Sequence, residues 1–486
     1  MQKRKVALIT ASVVTAVLAA SAGLSAHADT VTASKSANVL PIADYLQQTM
    51  DALAFQEVVD LAPRTVAQAS TLTATVDKDA TTTAQRATLY AASAAAAAPL
   101  PISQQPQIDA SILELDAAGH IVSSGTVLMS PQYPHGVVVP VDTDYHTTAV
   151  RYRQWDDAGW YTNHAQGTID IVPGREAAAL DFMSPYPASV LKLMVNFGVL
   201  RLVDQGVITL DDTYNYQPTT ISSLCGPASS NTIRAYIDAS LTASNNAASC
   251  ALVKMLWDHD AVTGLNQQFQ DLGLETLHLA NTNPVNGGRW GNPVTMTSLD
   301  TAKLLALING GPGTLWTTPA GVPVTKAALS DSSRALFASE LGQQGWNWML
   351  STTNYCGRGY PVAGIAQTTA DRWLAADGTM TVDGNYFGQD VRPCNQAAQV
   401  SFKHKTGWVN NSAADAGIVK SLPGKAGRRY IVAVFSNLGD QYQDPQRPAT
   451  PAGVVPVEYT QKFAQLGQAI DQYETARCAV RSQGSR

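Results

Sequence analysis

The chain has 486 residues, of which 45% are apolar and 14% charged, and its formal net charge is −6 at pH 7. This balance excludes an intrinsically disordered protein and leaves enough apolar residues for one large core. An acidic chain without basic clusters also argues against nucleic acid or an anionic membrane as a partner.

The first 28 residues have the three parts of a secretory signal peptide. The cations at positions 3–5 precede an apolar run over residues 6–20, and Ala26-His27-Ala28 is a small-x-small cleavage site. The run is too short to span a membrane. Cleavage would remove three cations and leave a charge of −6 − 3 = −9. We therefore expect a secreted, extracellular protein without a membrane anchor after cleavage.

The segment 29–106 is predicted to combine a helix with a linker. Residues 41–62 have the pattern of one amphipathic helix. From about residue 65 to 106 the chain is mostly Ala, Thr, Ser and Gln, which favours a linker or stalk over the alternative, a packed helical domain. The main domain is then expected over residues 107–486.

β-Structure is predicted at the start of this domain. Residues 112–115 and 121–122 flank Asp116-Ala117-Ala118-Gly119, which is a hairpin signal. A second hairpin is expected around residues 157–159, between strands at 150–152 and 160–161. Residues 168–172 predict a third strand, after which a buried helix begins near Ala188 and stops at Gly206.

Helices dominate the middle of the domain, and strands return at its end. Residues 210–342 are predicted to be helices and loops, and an insertion at about 310–398 is rich in tryptophan and glycine. Strands are expected at 399–408, 416–419 and 430–436, followed by a helix over roughly 457–480. This order predicts an α+β fold, with one antiparallel sheet built from both ends of the domain and a helical subdomain.

Five cysteines remain in a chain that we expect to be exported, so disulfide pairs are expected with one cysteine left over. Cys356 is paired with Cys394 because the loop between them is rich in glycine and turn residues. Cys225 with Cys250 is the second pairing, and Cys478 is left as a buried free thiol. Neither pairing follows from the sequence alone.

The candidate nucleophile lies in Ser189-Val190-Leu191-Lys192, a Ser-x-x-Lys at the start of the buried helix. A spacing of three places both side chains on one helix face. The helix N-terminus favours negative charge on the hydroxyl, and the amine can take its proton. Alone, the pattern is better explained by a helix-starting serine and a solvated lysine, so it needs partners.

Two further short patterns follow downstream. Ser244-Asn245-Asn246 is a Ser-x-Asn between two predicted helices, at residues 232–240 and 247–257, and ordinary helix capping is its alternative. A similar run from Ser229 is taken as a helix cap. The strand at 399–408 carries Lys405-Thr406-Gly407, whose cation and hydroxyl can hold a carboxylate and whose glycine allows close approach. A strand-end lysine before a turn is the alternative.

The order Ser-x-x-Lys, Ser-x-Asn, Lys-Thr-Gly resembles the serine β-lactamase and penicillin-binding superfamily, closest to class A β-lactamase-like hydrolases. The spacings are 244 − 189 = 55 and 405 − 244 = 161. The likeness covers roughly residues 108–480 and includes three further segments: Phe182-Met183-Ser184-Pro185, Asp415-Ala416-Gly417-Ile418-Val419 and Val432-Ala433-Val434-Phe435-Ser436.

The resemblance implies a role for each motif residue. Ser189 would be acylated, Lys192 would take its proton, and Ser244 would relay a proton to the leaving nitrogen. Asn246 would bind the substrate's side-chain amide. The substrate carboxylate would lie on Lys405 and Thr406, beside Gly407, and backbone N–H groups of Ser189 and near Trp408 would form the oxyanion hole.

One position departs from the pattern. Class A enzymes carry a glutamate before a proline in an omega-shaped loop, and here Asn283 precedes Pro284. An amide cannot take a proton from water, so the base for deacylation is missing there. This leaves a class A-like β-lactamase, a D-alanyl-D-alanine carboxypeptidase or transpeptidase acting on peptidoglycan peptides, and a non-turnover penicillin-binding sensor.

Other chemistry leaves little trace in the sequence. No histidine pair has metal-ligand spacing, and the superfamily requires no cofactor. Arg392, 405 − 392 = 13 residues before Lys405, could help hold a carboxylate, but a structural role beside Cys394 is as good an interpretation. We expect a monomer acting on a small β-lactam or a peptidoglycan peptide.

Overall fold

The computed structural model describes residues 39–60, 100–102, 104–160, 162–280, 282–291, 294–359, 362–444, 451–455 and 461–484. The chain divides into two compact units, Met1–Val39 and Leu40–Arg486. The predicted signal peptide and most of the predicted linker, residues 61–99, lie outside the described residues.

Within the described residues, the longer helices are distributed along the whole chain. They are α1 Ile42–Ala52, α2 Lys192–Asp204, α3 Ile233–Thr242, α4 Asn246–Asp258, α5 Ala261–Asp271, α6 Ser298–Asn309, α7 Asp331–Leu341, α8 Arg392–Ala397 and α9 Gln461–Gly484.

The strands lie before α2, between the helices and after α8. They are β1 Val59–Asp60, β2 Leu100–Pro101, β3 Ile108–Leu115, β4 Ile121–Ser130, β5 Tyr133–Val138, β6 Val150–Trp155, β7 Gln166–Asp170, β8 Leu180–Ser184, β9 Thr213–Tyr216, β10 Ser229–Thr232, β11 Thr314–Thr317, β12 Pro323–Thr325, β13 Thr381–Val382, β14 Asn385–Tyr386, β15 Val400–Val409, β16 Ser412–Ser421, β17 Arg429–Ser436 and β18 Tyr442–Gln443.

A six-stranded antiparallel sheet is the centre of the fold. Its order is β15-β16-β17-β3-β4-β5, so the last strands of the chain pair with the first strands of the main domain. The hairpin predicted around Asp116 joins β3 to β4, and Gly119 adopts a φ of 99° in its turn. The predicted α+β fold, with its sheet built from both ends of the domain, is confirmed.

Alternate residues of β3 show that helices cover both faces of the sheet. Asp109 and Ser111 point to one face, where both bond to Ser298 at the start of α6. Glu114 has the opposite parity and pairs with Arg477 of α9. Because both faces are covered, every residue of β3 is buried.

Helix α1 belongs to the same compact unit as the sheet. It packs so closely on β4 that a Cβ on Gly125 would lie 2.6 Å from the Ala43 nitrogen. Its Tyr45 ring stacks on Tyr473 of α9 at 4.0 Å. The predicted helix over 41–62 is too long: it ends at Ala52, and Ala54 takes a left-handed φ of 48° before β1.

A small sheet, β7-β6-β8, precedes the candidate nucleophile. The predicted second hairpin is correct for β6, but its partner is β7 at 166–170 rather than residues 160–161. Residues 156–165 form a longer connection in which His164 and Ala165 both have positive φ. The third predicted strand corresponds to β7 and ends earlier, at Asp170.

The helical subdomain contains the predicted buried helix. Most of α2 is buried, including Lys192 and Asn196, which agrees with its apolar residues on most sides. Both predicted disulfides are present, Cys225–Cys250 and Cys356–Cys394, and Cys478 is a free thiol. Among the described residues, no helix is both long enough and apolar enough to cross a membrane.

Candidate active site

Ser189 lies in a single 3₁₀ turn, Ala188–Leu191, that leads directly into α2. Ala188, the residue before it, has a left-handed φ of 46°, which is uncommon for a residue with a side chain. This strained backbone stands at the N-terminal end of a helix, where N–H groups favour negative charge. Ser189 itself is half-buried.

Lys192 is one turn further on and fully buried. Its Nζ donates to the Ser244 carbonyl, to Ser244 Oγ at 3.1 Å and to Asn246 Oδ1 at 2.8 Å. The indole of Trp290 lies 5.9 Å from the same nitrogen. The structure therefore brings the amine of the Ser-x-x-Lys pattern onto both polar residues of the Ser-x-Asn pattern.

Ser244 lies in the junction between α3 and α4 with a left-handed φ of 57°. Asn245 caps α4 by accepting from the Ala248 N–H, so the capping function of this motif falls on its middle residue. The hydroxyl of Ser244 and the amide oxygen of Asn246 take no part in capping and accept hydrogen bonds from Lys192. The prediction that Ser229 caps a helix is wrong: it lies in β10, and Thr232 caps α3 by accepting from Ala235.

Lys405 is fully buried in β15, and its Nζ donates to Ser244 Oγ at 2.8 Å. Burial lowers the pKa of Lys405 from its usual value to about 7, and the nearby carboxylate of Asp415 opposes this shift. The hydroxyl of Ser244 therefore receives hydrogen bonds from two lysines, one on each side.

Gly407 lets β15 lie directly along the turn of the candidate nucleophile. A Cβ at this position would stand 2.6 Å from the Pro187 carbonyl oxygen and 2.8 Å from the Ser189 nitrogen. Real side chains do not approach backbone atoms so closely, so only glycine allows this contact. Thr406 and Trp408, on either side of it, are both more than nine-tenths buried.

We expect Gly407→Ala to lower the rate of acylation of Ser189 by about 10²-fold, because the added methyl pushes β15 away from the nucleophile. Stopped-flow acylation with a chromogenic cephalosporin would measure this. Gly424→Ala provides a control, since its Cβ would meet nothing within 4 Å, although its φ of 76° adds local strain. An unchanged rate in Gly407→Ala would contradict the close approach.

Comparison with known families agrees with this geometry. The model of the β-lactamase enzyme family matches residues 176–350, which include Ser189, Lys192 and Ser244. This match agrees with the resemblance predicted from the motifs over that part of the chain. No curated protein matches the chain.

Solved β-lactamases and penicillin-binding proteins resemble the structure at low sequence identity. A PBP-A variant in acyl-enzyme complex with penicillin G is 18% identical, covering 76% of this chain and 90% of its own, with a TM-score of 0.40. A β-lactamase from Sphaerobacter thermophilus DSM 20745 is 14% identical, covering 78% of this chain and 92% of its own, with a TM-score of 0.36. A class A β-lactamase from Bacteroides cellulosilyticus DSM 14838 is also 14% identical, covering 78% of this chain and 94% of its own, with a TM-score of 0.38.

Asn283, where class A β-lactamases have their glutamate, has an exposed side chain. Its Oδ1 accepts from the Val285 N–H at 2.9 Å, and its backbone closes the loop through Arg289 and Gly288. This hydrogen bonding is that of a turn residue. Glu275, the nearest carboxylate upstream in this part of the sequence, pairs with Arg175 at 3.2 Å.

The loop of residues 283–290 is held tightly against α4. A Cβ on Gly288 would lie 2.6 Å from the Cys250 carbonyl, and Tyr216 donates to the Gly287 carbonyl. These contacts place Trp290, rather than Asn283, against Lys192. Trp290 could not be predicted as a site residue, because an isolated tryptophan after Gly287-Gly288-Arg289 carries no local signal.

Arg392 is a structural residue of the insertion. It pairs with Asp390 at 2.8 Å and donates to the carbonyls of Ala376 and Asp377, while about half of its side chain is exposed. Of the two interpretations given by the sequence, these contacts support the structural one.

Proposed function

We propose that this protein is a serine hydrolase of the β-lactamase type that opens the ring of penicillin-type β-lactams by acylating Ser189, and that it releases the acyl group slowly. The hydrogen-bonded chain Lys192–Ser244–Lys405 carries this proposal, because it links the three motifs through one hydroxyl. Such a chain can move a proton between a nucleophile and a leaving group.

Each motif residue has a place in acylation. Ser189 Oγ attacks the lactam carbonyl as its proton passes to the Lys192 amine, and a proton then reaches the lactam nitrogen through Ser244 as the C–N bond breaks. Backbone N–H groups of Ser189 and Trp408 would stabilise the oxyanion. Lys405 and Thr406 would hold the substrate carboxylate. Asn246 Oδ1 accepts from Lys192, which orients its amide N–H₂ toward a substrate carbonyl.

A D-alanyl-D-alanine peptidase is the second candidate, and the position of Asn283 favours it. An exposed amide that is already bonded to Val285 supplies no base for the water that would release the acyl group. A long-lived acyl-enzyme can instead pass its acyl group to an amine, which is the chemistry of peptide exchange. Export through the predicted signal peptide would bring either activity to the cell wall.

Intact-mass spectrometry of residues 29–486 with benzylpenicillin would test the proposal. We expect one adduct per chain that decays slowly after free penicillin is removed, with release of the ring-opened product and without release of D-alanine from a peptide ending in D-Ala-D-Ala. A transient adduct with fast product formation would indicate an efficient β-lactamase. A persistent adduct together with D-alanine release from a peptide ending in D-Ala-D-Ala would indicate the peptidase, and without any turnover it would indicate a sensor. Absence of any adduct would overturn the assignment.

A further inference from the structure

Residues 344–350, inside the predicted insertion, contact both halves of the candidate active site. It follows α7 after Gly342 and continues into the disulfide-bonded part of the insertion. Three consecutive residues bond to three consecutive carbonyls at the end of α3: Gln344 Nε2 to Leu241, the Gly345 N–H to Thr242, and Trp346 Nε1 to Ala243, at 3.0, 2.8 and 2.7 Å.

These carbonyls belong to the last turn of a helix, where no intrahelical N–H is available. Ser244 follows them immediately and takes its left-handed conformation there. The insertion therefore fixes the backbone from which the Ser244 hydroxyl projects. Gln344 and Trp346 are each more than nine-tenths buried, so these hydrogen bonds are protected from water.

The same segment reaches the strand of Lys405 from behind. Asn347 Oδ1 lies 2.9 Å from His404 Nε2, and His404 Nδ1 lies 2.8 Å from Asp415 Oδ1. The Leu350 N–H donates to the other oxygen of Asp415 at 3.2 Å. Asp415 of β16 pairs with Thr406 of β15, and His404 immediately precedes Lys405. The network therefore lies next to the Lys-Thr-Gly motif.

The side chains of this network are as deeply buried as any in the core. Asn347 is 1% exposed, and His404 and Asp415 are 0% exposed. Gln367, also from the insertion, donates to Asn347 Oδ1 at 2.9 Å and completes the group. Buried polar groups of this kind impose one geometry, because each lost bond leaves an unpaired group in the core.

We propose that residues 344–350 are a bridge that fixes the distance between Ser244 and Lys405, with Asn347 as its positioning residue. This rests on the proposed function, since the contact that it holds, Lys405 Nζ to Ser244 Oγ at 2.8 Å, is part of the proton path proposed for acylation.

Asn347→Leu tests the bridge because it keeps the volume of the side chain and removes its bonds to His404, Gln367 and Asn354. Asn437→Leu is the matched control: Asn437 is also 1% exposed and bonds to the backbone at Gln105 and Gln107, and it has no part in the bridge. Both variants are compared by thermal unfolding and by the second-order rate of acylation of the full mature chain with benzylpenicillin.

A positioning role for Asn347 also predicts that the loss of acylation rate in its variant depends on the leaving group of the substrate. An amine leaving group needs the proton that Ser244 relays, whereas a thiolate needs it far less. For Asn347→Leu we expect the rate with benzylpenicillin to fall by about 10²-fold. The rate with a thioester of an N-acylglycine and mercaptoacetate should fall by only about threefold. Asn437→Leu should keep the ratio of the two rates at its wild-type value.

Three results separate the possible failures. If wild-type protein is not acylated by either substrate, the proposed function is wrong. If wild-type protein reacts but Asn347→Leu loses equal factors with both substrates, or loses nothing, the bridge is wrong and the proposed function stands. If Asn347→Leu does not fold, Trp346→Phe replaces it: this variant removes the bond to the Ala243 carbonyl and part of the ring packing on Trp348 and Phe387, and a wild-type rate ratio in it would overturn the bridge.

Discussion

Substitution Ser189→Ala should abolish covalent reaction with benzylpenicillin and lower the rate of ring opening by at least about 10⁴-fold. Ser189 is the hydroxyl of the Ser-x-x-Lys pattern at the strained start of α2, and its backbone nitrogen lies against Gly407 of β15. Removing the nucleophile leaves only the hydrogen-bond donors around it, which can bind the substrate but not form an ester. Intact-mass spectrometry and the loss of lactam absorbance would measure both effects.

Ser184→Ala is the control for this experiment. Ser184 lies five residues earlier, at the end of β8, is buried and donates to the Met296 carbonyl. Its loss removes one hydrogen bond, at a cost of about 1 kcal/mol, and should leave the adduct intact. An adduct in Ser189→Ala, mapped by peptide sequencing to Ser244 or to another residue, would show that the nucleophile has been misassigned.

Local patterns predicted the motifs and most of the main sheet. The α+β order, β3, β15 to β17 and the helix after Ser189 each depend on periodicity within a dozen residues, and the structure agrees. Errors occurred where a boundary depends on tertiary contacts. Helix α1 ends at Ala52, and Ala54 then turns the chain toward β1 with a left-handed φ of 48°, although the sequence pattern continues to residue 62.

The residues that pack behind the motifs could not be predicted. His404 and Asp415 lie within or beside the motif segments, but their partner Asn347 is far away in the sequence and has no motif of its own. Asn283 is a different case. The sequence identified the missing carboxylate, whereas only the structure shows that the amide faces solvent and bonds to Val285. Side-chain direction in a loop follows from its closing contacts, which no local pattern encodes.

The second large effect concerns Lys405 and its dependence on pH. In the free protein its ammonium group is fully buried, which lowers the pKa to about 7, so a growing fraction loses its charge as the pH rises above that value. Only the charged form holds a substrate carboxylate. We therefore expect kcat/KM for benzylpenicillin to fall as the pH increases beyond about 7, because this parameter reports the free enzyme.

Lys405→Met keeps the length of the side chain and removes its charge. The variant should lose about 10³-fold in kcat/KM at pH 6, since both the carboxylate contact and the 2.8 Å bond to Ser244 disappear. Lys405→Arg keeps a charge at every accessible pH, so it should retain part of the activity and lose the decline above pH 7. A decline that persists in Lys405→Arg would assign the titration to another group.

The pH dependence of the free energy of unfolding gives an independent check of the same pKa. Because the folded pKa lies below that of an unfolded lysine, the unfolded chain binds the extra proton between about pH 7 and 10.5, and the wild-type protein gains stability as the pH rises through this window. Lys405→Met lacks this gain. The free energy of unfolding of the variant minus that of the wild type should therefore be most positive at pH 6 and should decrease toward pH 10. Denaturant titration at each pH would measure this difference. A difference that does not change with pH would mean that Lys405 keeps an ordinary pKa, and the pH limit on substrate binding would then need another cause.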